Sequence, residues 1–334
     1  FGVQPSEFGK IVYILFLANY FEKTAYMEPR KRFFCAIIIM CIPLGLILMQ
    51  PDLGTASVYI PIFLFMCFVA CVPIHYILLI LLTGMLTILF TVLPVWQTEI
   101  VHKSYTLISV LTNPQYRILV IISSAVISII GITGKILFRN NKYYYWIAFI
   151  FGILTFSLIA SYGCGKFLKD YQLKRLIVYL DPNSDPLGSG WNIIQSKIAI
   201  GSGGVSGRGF LNGTQSHYRF LPQQSTDFIF SILSEELGFL GGAFVFILYL
   251  TILIRITFIM LNTKNIYGYY IASGILGMFF FHFVVNIGMV MGIMPITGIP
   301  LLFLSYGGSS LWTAMICIGL LMSINFRKLE PYSI

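Results

Sequence analysis

The sequence predicts an all-α, polytopic helical membrane protein, and three observations carry that prediction. The chain of 334 residues is 57% hydrophobic and only 10% charged, more apolar than a soluble domain of this size can hide. Its apolar residues gather into runs that approach or exceed the roughly 20 helical residues a bilayer core requires. The runs do not alternate apolar with polar residues as barrel strands do, and backbone in lipid is satisfied only within a helix or a closed barrel.

The runs cover residues 8–21, 33–49, 53–71, 74–93, 118–138, 143–164, 228–261, 267–292 and 298–325. The first is short, and the chain opens at Phe1 without methionine or the basic flank and cleavage site of a signal peptide, so a fragment with its N-terminus missing is expected. Residues 1–334 read as a single integral membrane domain. Its basic loop residues, in "EPRKR" (28–32), Lys135, Arg139, Lys142, Arg255, Lys264, Arg327 and Lys328, fall on one side if the runs alternate. That side is the cytoplasm. Tyr143 to Trp146, Trp96, Tyr105 and Tyr116 suit interfacial anchoring.

The one extended polar stretch, residues 165–226, then lies outside the cell. It carries Lys166, Lys169, Lys174, Arg175, Lys197, Arg208 and Arg219 against Asp170, Asp181 and Asp185, an excess of cations suited to an anionic lipid or substrate. Nucleic acid is not expected as a partner, because the basic residues are scattered between apolar spans. "DPNSDP" is turn chemistry. "GWNIIQSKIAIGSGG" mixes apolar, aromatic and glycine residues as a packed segment does. The glycines of "GSGGVSGRG" (201–209) fail the nucleotide-loop pattern, yet a nest of their amides with Lys197 and Arg208 suits pyrophosphate. The six cysteines sit in or beside apolar runs with no CxxC pair, as small buried hydrophobes do.

Twelve acids are present, so each can be weighed. Glu22, Glu28 and Glu330 are expected to be solvated, and Glu99 lies in a connecting loop. Five stand near span ends: Glu7, Asp52, Asp227, Glu235 and Glu236. Asp52, after Pro51 in "QPDLGT", reads as a helix cap. Asp227, at the mouth of "TDFIFSILSEELG", fits either a cap or a reagent. Glu7 and Lys10 in "QPSEFGK" are three apart on one helix face begun by Pro5, and charges at that depth usually line a cavity. Glu235 and Glu236, inside the next run, need a cation or a backbone donor. His282 reads as a packed, hydrogen-bonded histidine in preference to a pathway residue; His75, His102 and His217 are isolated, and no metal-ligand spacing appears. "GIMPITGIPLLFLSYGGSS" (292–310) places helix breakers in an apolar region, tolerated only where protein or a cavity satisfies the backbone.

On "QPSEFGK", "QPDLGTA", "GWNIIQSKIAIGSGG", "TDFIFSILSEELG" and "PITGIPLLFLSYGGSS" the chain resembles the SEDS membrane proteins (shape, elongation, division and sporulation). "YLDPNSDPLGSGWNIIQSK" and "GFLNGTQS" resemble the elongation branch more than the division branch. The resemblance implies a multi-pass bundle in the bacterial cell (inner) membrane that polymerises lipid II into undecaprenyl-linked glycan strands. It also implies a class B penicillin-binding protein (a transpeptidase) and other membrane proteins of the elongation complex as partners. Asp227 matches the family's essential aspartate, and Glu7 and Lys10 its charged cavity pair. Lys197, Arg208, Gln195, Ser196, Gln215, Glu235 and Glu236 are the remaining candidates for binding substrate or lining the cavity. No cofactor is assigned, and a divalent cation stays open.

Three departures from the family stand out, the first being the absence of N-terminal helices that the family is expected to have. Residues 74–164 hold three runs where the family usually has one, and "LPQQSTDF" has Gln223 and Ser225 where many relatives carry ionisable groups. On this reading Asp227 takes the proton of an acceptor 4-hydroxyl while cations hold the leaving pyrophosphate. Two other classes fit the same residues: a flippase or transporter of lipid-linked precursor, and a non-enzymatic scaffold of the elongation machinery.

Overall fold

The computed structural model describes residues 3–50, 52–98, 105–138, 142–167, 170–182, 185, 188–218 and 220–327. Arg139, Lys169, Arg219, Lys328, Glu99, Glu330 and His102 lie outside them, as do the side chains of Lys166, Asp170 and Lys174. The described residues are all-α, without strands, and divide into two compact units: Phe1–Ile74 with Trp191–Ile334, and His75–Gly190.

The first unit holds α1 (Pro5–Lys23), α2 (Pro29–Leu48) and α3 (Leu53–Val69). In the second lie α4 (Ile74–Trp96), α5 (Thr106–Thr112), α6 (Pro114–Leu137), α7 (Lys142–Phe167) and α8 (Asp170–Leu180). The chain returns to the first unit with α9 (Ser189–Ser202), α10 (Thr214–His217), α11 (Ile229–Asn262), α12 (Ile266–Val290) and α13 (Gly308–Arg327). Seven of these, α2, α4, α6, α7, α11, α12 and α13, are long and apolar enough to cross a membrane. The 17 residues of α3 make it a shorter apolar helix, and α1 carries Glu7, Lys10, Glu22 and Lys23. The 165–226 stretch is largely helical, with "GWNIIQSKIAIGS" in α9.

The last run departs from its expected bounds. Residues 298–307 are not helical, and α13 starts only at Gly308. Pro295 and Pro300 lack the amide a helix needs, and α12 is closed beforehand by Gly292, whose φ of 72° is the left-handed conformation. Ile293 N donates to Gly288 O at 2.7 Å and Gly292 N to Met289 O at 3.0 Å, the paired bonds that end a helix at a left-handed glycine.

In the first unit α12 is the buried helix, packed by α1, α3 and α11. A Cβ on Gly274 would stand 2.9 Å from both Ile14 Cγ2 and Met66 Sδ, and one on Gly277 3.0 Å from Phe65. Small residues let helices approach closely where the outer faces meet lipid. In the second unit α6 and α7 form a hairpin on the same device, with Gly131 close against the Ala148 backbone. Thr155 Oγ1 donates to Ser124 Oγ at 2.9 Å, and Arg117 Nη2 to Ser161 Oγ at 2.9 Å. Tyr143 and Trp146 are exposed at the start of α7, as anchoring residues are.

Two surface expectations need correction. Arg32, counted among the basic loop residues, is buried. Its Nη2 donates to Phe21 O at 2.6 Å and its Nη1 to Ala70 O at 2.9 Å, with Tyr270 Oη 3.2 Å away and the Phe21 ring 5.0 Å below. One guanidinium thus satisfies carbonyls at the C-terminal ends of α1 and α3, where cations are favoured. Of the cysteines only Cys67 and Cys317 are buried, while Cys35, Cys41 and Cys71 are exposed; in a bundle whose outer face meets lipid, an apolar run does not tell inside from outside.

Arg32→Lys removes the planar fork that reaches two helix ends. The loss of one charge-assisted bond is expected to lower stability by about 2 kcal/mol, read as a fall in thermal unfolding temperature in detergent; an unchanged temperature contradicts the bridging role.

Candidate active site

The site begins at the first turn of α1. Pro5 occupies an opening position, where its missing amide costs nothing, and Glu7 sits in the first turn, where the helix dipole favours an acid. Lys10, one turn on, is fully buried, and its Nζ lies 2.7 Å from Glu7 Oε1. The pair inferred from three-residue spacing is therefore formed, between groups 4% and 0% exposed. Such a pair needs further hydrogen bonds to persist away from water. His282, on α12, supplies one: its Nε2 is 3.3 Å from Lys10 Nζ. Its Nδ1 is 2.9 Å from Pro300 O. A carbonyl only accepts, so Nδ1 carries the proton and Nε2 turns its lone pair to the ammonium. His282 is packed and hydrogen-bonded, as expected, and it is also joined to the charged pair.

One turn along α12, Asn286 is fully buried. Its Nδ2 donates to Ile299 O at 2.8 Å and to Asp227 O at 3.1 Å. Sequence reasoning missed this residue; the available signal was a second polar side chain four positions after His282 in a helix otherwise apolar there. Asn286 Oδ1 and Glu7 Oε2 are buried acceptors that no donor among the described residues reaches.

Asp227 is half-buried, next to the start of α11. Phe228 occupies the N-cap, without a side-chain cap bond of its own, and Asp227 stands one residue before it. Backbone bonds hold the turn that carries Asp227. Gln223, with φ of 54°, turns the chain so that its carbonyl receives Thr226 N and Asp227 N, each at 3.2 Å. Ser225 O receives Tyr306 N at 2.7 Å, and Thr226 O receives Ser305 Oγ at 2.6 Å. The 223–227 turn is thereby laced to the non-helical segment 299–306. Against the carboxylate itself stands Gly298, where an added Cβ would be 3.6 Å from Asp227 Oδ2.

Asp52 is the cap it was expected to be, accepting from Thr55 N at 3.0 Å and Thr55 Oγ1 at 2.7 Å. Glu235, fully buried, finds a backbone donor: Oε1 accepts from Gln215 N at 2.9 Å and from Thr214 Oγ1 at 3.1 Å. Arg208 Nη1 donates to the same Thr214 Oγ1 at 2.9 Å. Glu235, Gln215 and Arg208 therefore form a second cluster, with Glu236 buried beside it in α11. Gln195 is buried in α9, while Lys197 is exposed, its Nζ lying over Gly292. Ser196 is a helix-joining contact rather than a surface for substrate: its Oγ donates to Val290 O at 2.6 Å, beside Ser231 Oγ at 2.8 Å.

The glycine run also proves to be something other than a nest. Gly238 breaks α11 with φ 66° and ψ −161°, a region essentially reserved for glycine. Loop 203–209 inserts at the break. Arg208 N and Gly209 N donate to Glu235 O and Glu236 O, both at 3.0 Å, while Phe239 N and Leu240 N donate to Gly204 O at 2.8 Å and Val205 O at 3.2 Å. Gly203 and Gly207 press against carbonyls of Ser234 and Glu236, leaving no space for a Cβ. The glycines serve close backbone approach, and two amides offered to an anion are taken by α11. Among the described residues no group of three or more His, Cys, Asp or Glu is placed to hold a metal ion.

The family profile described as cell cycle protein, FtsW/RodA/SpoVE, matches residues 1–135 and 118–329. The chain belongs to the FtsW/RodA/SpoVE family. Within that family it is 55% identical over 329 residues to the peptidoglycan glycosyltransferase RodA of Treponema pallidum, covering 98% of this chain and 76% of that protein. It is 34% identical to the peptidoglycan glycosyltransferase MrdB of Escherichia coli K12, covering 97% and 68%. A chain from the solved structure of a peptidoglycan synthase complex that coordinates polymerization and crosslinking matches with a TM-score of 0.61 and 26% identity, over 98% and 71% of the two chains. RodA of Thermus thermophilus, at 21% identity and a TM-score of 0.53 over 98% and 68%, shares the fold. The two stretches matched to the FtsW/RodA/SpoVE profile overlap at 118–135, in α6, among the extra helices.

Gly238→Ala is expected to destabilise the break by about 1–3 kcal/mol, and limited proteolysis is expected to cut loop 203–209 faster than in the unaltered protein. Equal cutting rates contradict the clasp.

Proposed function

We propose that this chain is a peptidoglycan glycosyltransferase of cell elongation that polymerises lipid II into glycan strands, with Asp227 as general base. Bond formation requires a proton to leave the acceptor 4-hydroxyl while lipid pyrophosphate leaves the donor anomeric carbon. A carboxylate that is partly desolvated yet reachable suits the first task. Asp227 is half-buried and held through its own carbonyl, and this observation carries the reading. The naming of the relatives as glycosyltransferases supports it.

Lys197 and Arg208 are the cations we assign to the leaving pyrophosphate; both are exposed. Arg208 keeps one guanidinium edge for Ser202 O and Thr214 Oγ1 and has donors left over. Lys10 acts on Asp227 at one remove, since its ion-pair partner is Glu7 and its route to Asp227 runs through His282 and residues 299–300. The protein lies in the bacterial cell membrane as a multi-pass bundle, with residues 165–226 on the outer side. A transpeptidase of the class B penicillin-binding type is the partner, consistent with the synthase complex that the fold resembles.

Asp227→Asn keeps size and removes the base. With the protein reconstituted with its transpeptidase and assembly matched, glycan formed from lipid II is expected to fall by at least about 10²-fold. Retained polymer moves the base elsewhere. Absence of polymer from the unaltered protein as well favours transport of lipid-linked precursor or a scaffold role.

A further inference from the structure

We infer that His282 and Asn286 are positioning residues that fix where the Asp227 carboxylate stands, an inference that rests on the reading of Asp227 as the base. Both are fully buried on α12, four residues apart on one face. Between them they grip two consecutive carbonyls of the non-helical segment, Ile299 O from Asn286 and Pro300 O from His282. Asn286 uses its second N–H on Asp227 O, so a single amide group sets the spacing between the 223–227 turn and the 299–300 segment. Both N–H groups are committed and the amide cannot turn over, because its oxygen would then face two carbonyls.

The same segment also runs close to the carboxylate itself. Gly298 precedes Ile299 and lies near the carboxylate, since a Cβ there would come within 3.6 Å of Asp227 Oδ2. Displacing residues 299–300 therefore displaces the residue next to the carboxylate as well as the carbonyl that shares the Asn286 amide with Asp227. His282 in turn receives Lys10, which holds Glu7. Glu7, Lys10, His282, residues 299–300, Asn286 and Asp227 form an unbroken chain of contacts from α1 to the base. Reacting groups tolerate little misplacement, and an error of about 1 Å can cost roughly 10²-fold in rate. Neither α12 residue touches the substrate in this account; they act through Asp227.

The two bonds of His282 can be separated. His282→Asn places an amide N–H where Nδ1 stands, keeping the grip on Pro300 O and losing the acceptor for Lys10. His282→Gln does the reverse. Asn286→Leu keeps volume and removes both donors. With each variant reconstituted with its transpeptidase partner, kcat and KM for lipid II are measured per assembled complex, alongside thermal stability. The expected result is a fall in kcat of about 10²-fold for Asn286→Leu and His282→Gln with KM unchanged, and recovery to within about tenfold in His282→Asn. Arg32→Lys, remote and destabilising, is expected to lower thermal stability while leaving kcat per complex unaltered.

If kcat of Asn286→Leu and His282→Gln stays within about threefold of the unaltered protein, or follows thermal stability in the same proportion as Arg32→Lys, the positioning role is overturned. Asp227→Asn, measured in parallel, separates the two ideas. Polymer from Asp227→Asn defeats the base assignment itself, whereas an inactive Asp227→Asn beside fully active His282 and Asn286 variants defeats only the positioning role.

Discussion

Within an apolar bundle, every backbone polar group must find a partner inside the protein, and this constraint shapes the segment between α12 and α13. Residues 291–307 leave the helical state, so their carbonyls and amides need partners from elsewhere. Ile299 O, Pro300 O and Leu302 O are taken by Asn286, His282 and Tyr249. Leu301 N reaches Ser305 Oγ, and Tyr306 N reaches Ser225 O. Those donors cannot be apolar, and this places a histidine and an asparagine in the C-terminal half of a helix otherwise built for lipid and close packing. The base candidate inherits its position from the arrangement, because the 223–227 turn is the other partner in the lacing.

The break in α11 answers the same constraint differently. Here one backbone satisfies another: amides and carbonyls of loop 203–209 replace those lost around Gly238. Side-chain donors solve the first interruption because prolines have removed amides from it; glycines solve the second because backbone must approach backbone without a Cβ between. Both interruptions lie in the unit that carries Asp227, Glu7 and Lys10. The helices of the His75–Gly190 unit, by contrast, join through small residues and hydroxyls.

Local properties of the sequence were legible, and contacts over long separations were not. Apolar runs gave the long helices apart from the start of the last one, the breakers of "PITGIP" pointed to the non-helical segment without its bounds, and "QPDLGT" gave the Asp52 cap. The Glu7 and Lys10 pair followed from helical spacing alone. That Phe228 rather than Asp227 takes the cap depends on where segment 299–306 pulls the preceding turn. Burial of Arg32 depends on α1 and α3 ending beside it. The role of the glycine run depends on a helix break almost 30 residues later, and Asn286 matters through a carbonyl 59 positions away. The family resemblance supplied Asp227 as the essential acid, while the geometry that holds it had to be seen.

If Asp227 is held by lacing rather than by its own helix, the turn and the non-helical segment open together. Native-state amide hydrogen exchange on the protein in lipid discs tests this most directly, since cooperative units reveal themselves by a shared opening free energy. Peptides covering 223–228 and 299–306 are expected to exchange with the same opening free energy, well above that of an exposed loop. Rapid exchange of 223–228 with 299–306 still protected would contradict it.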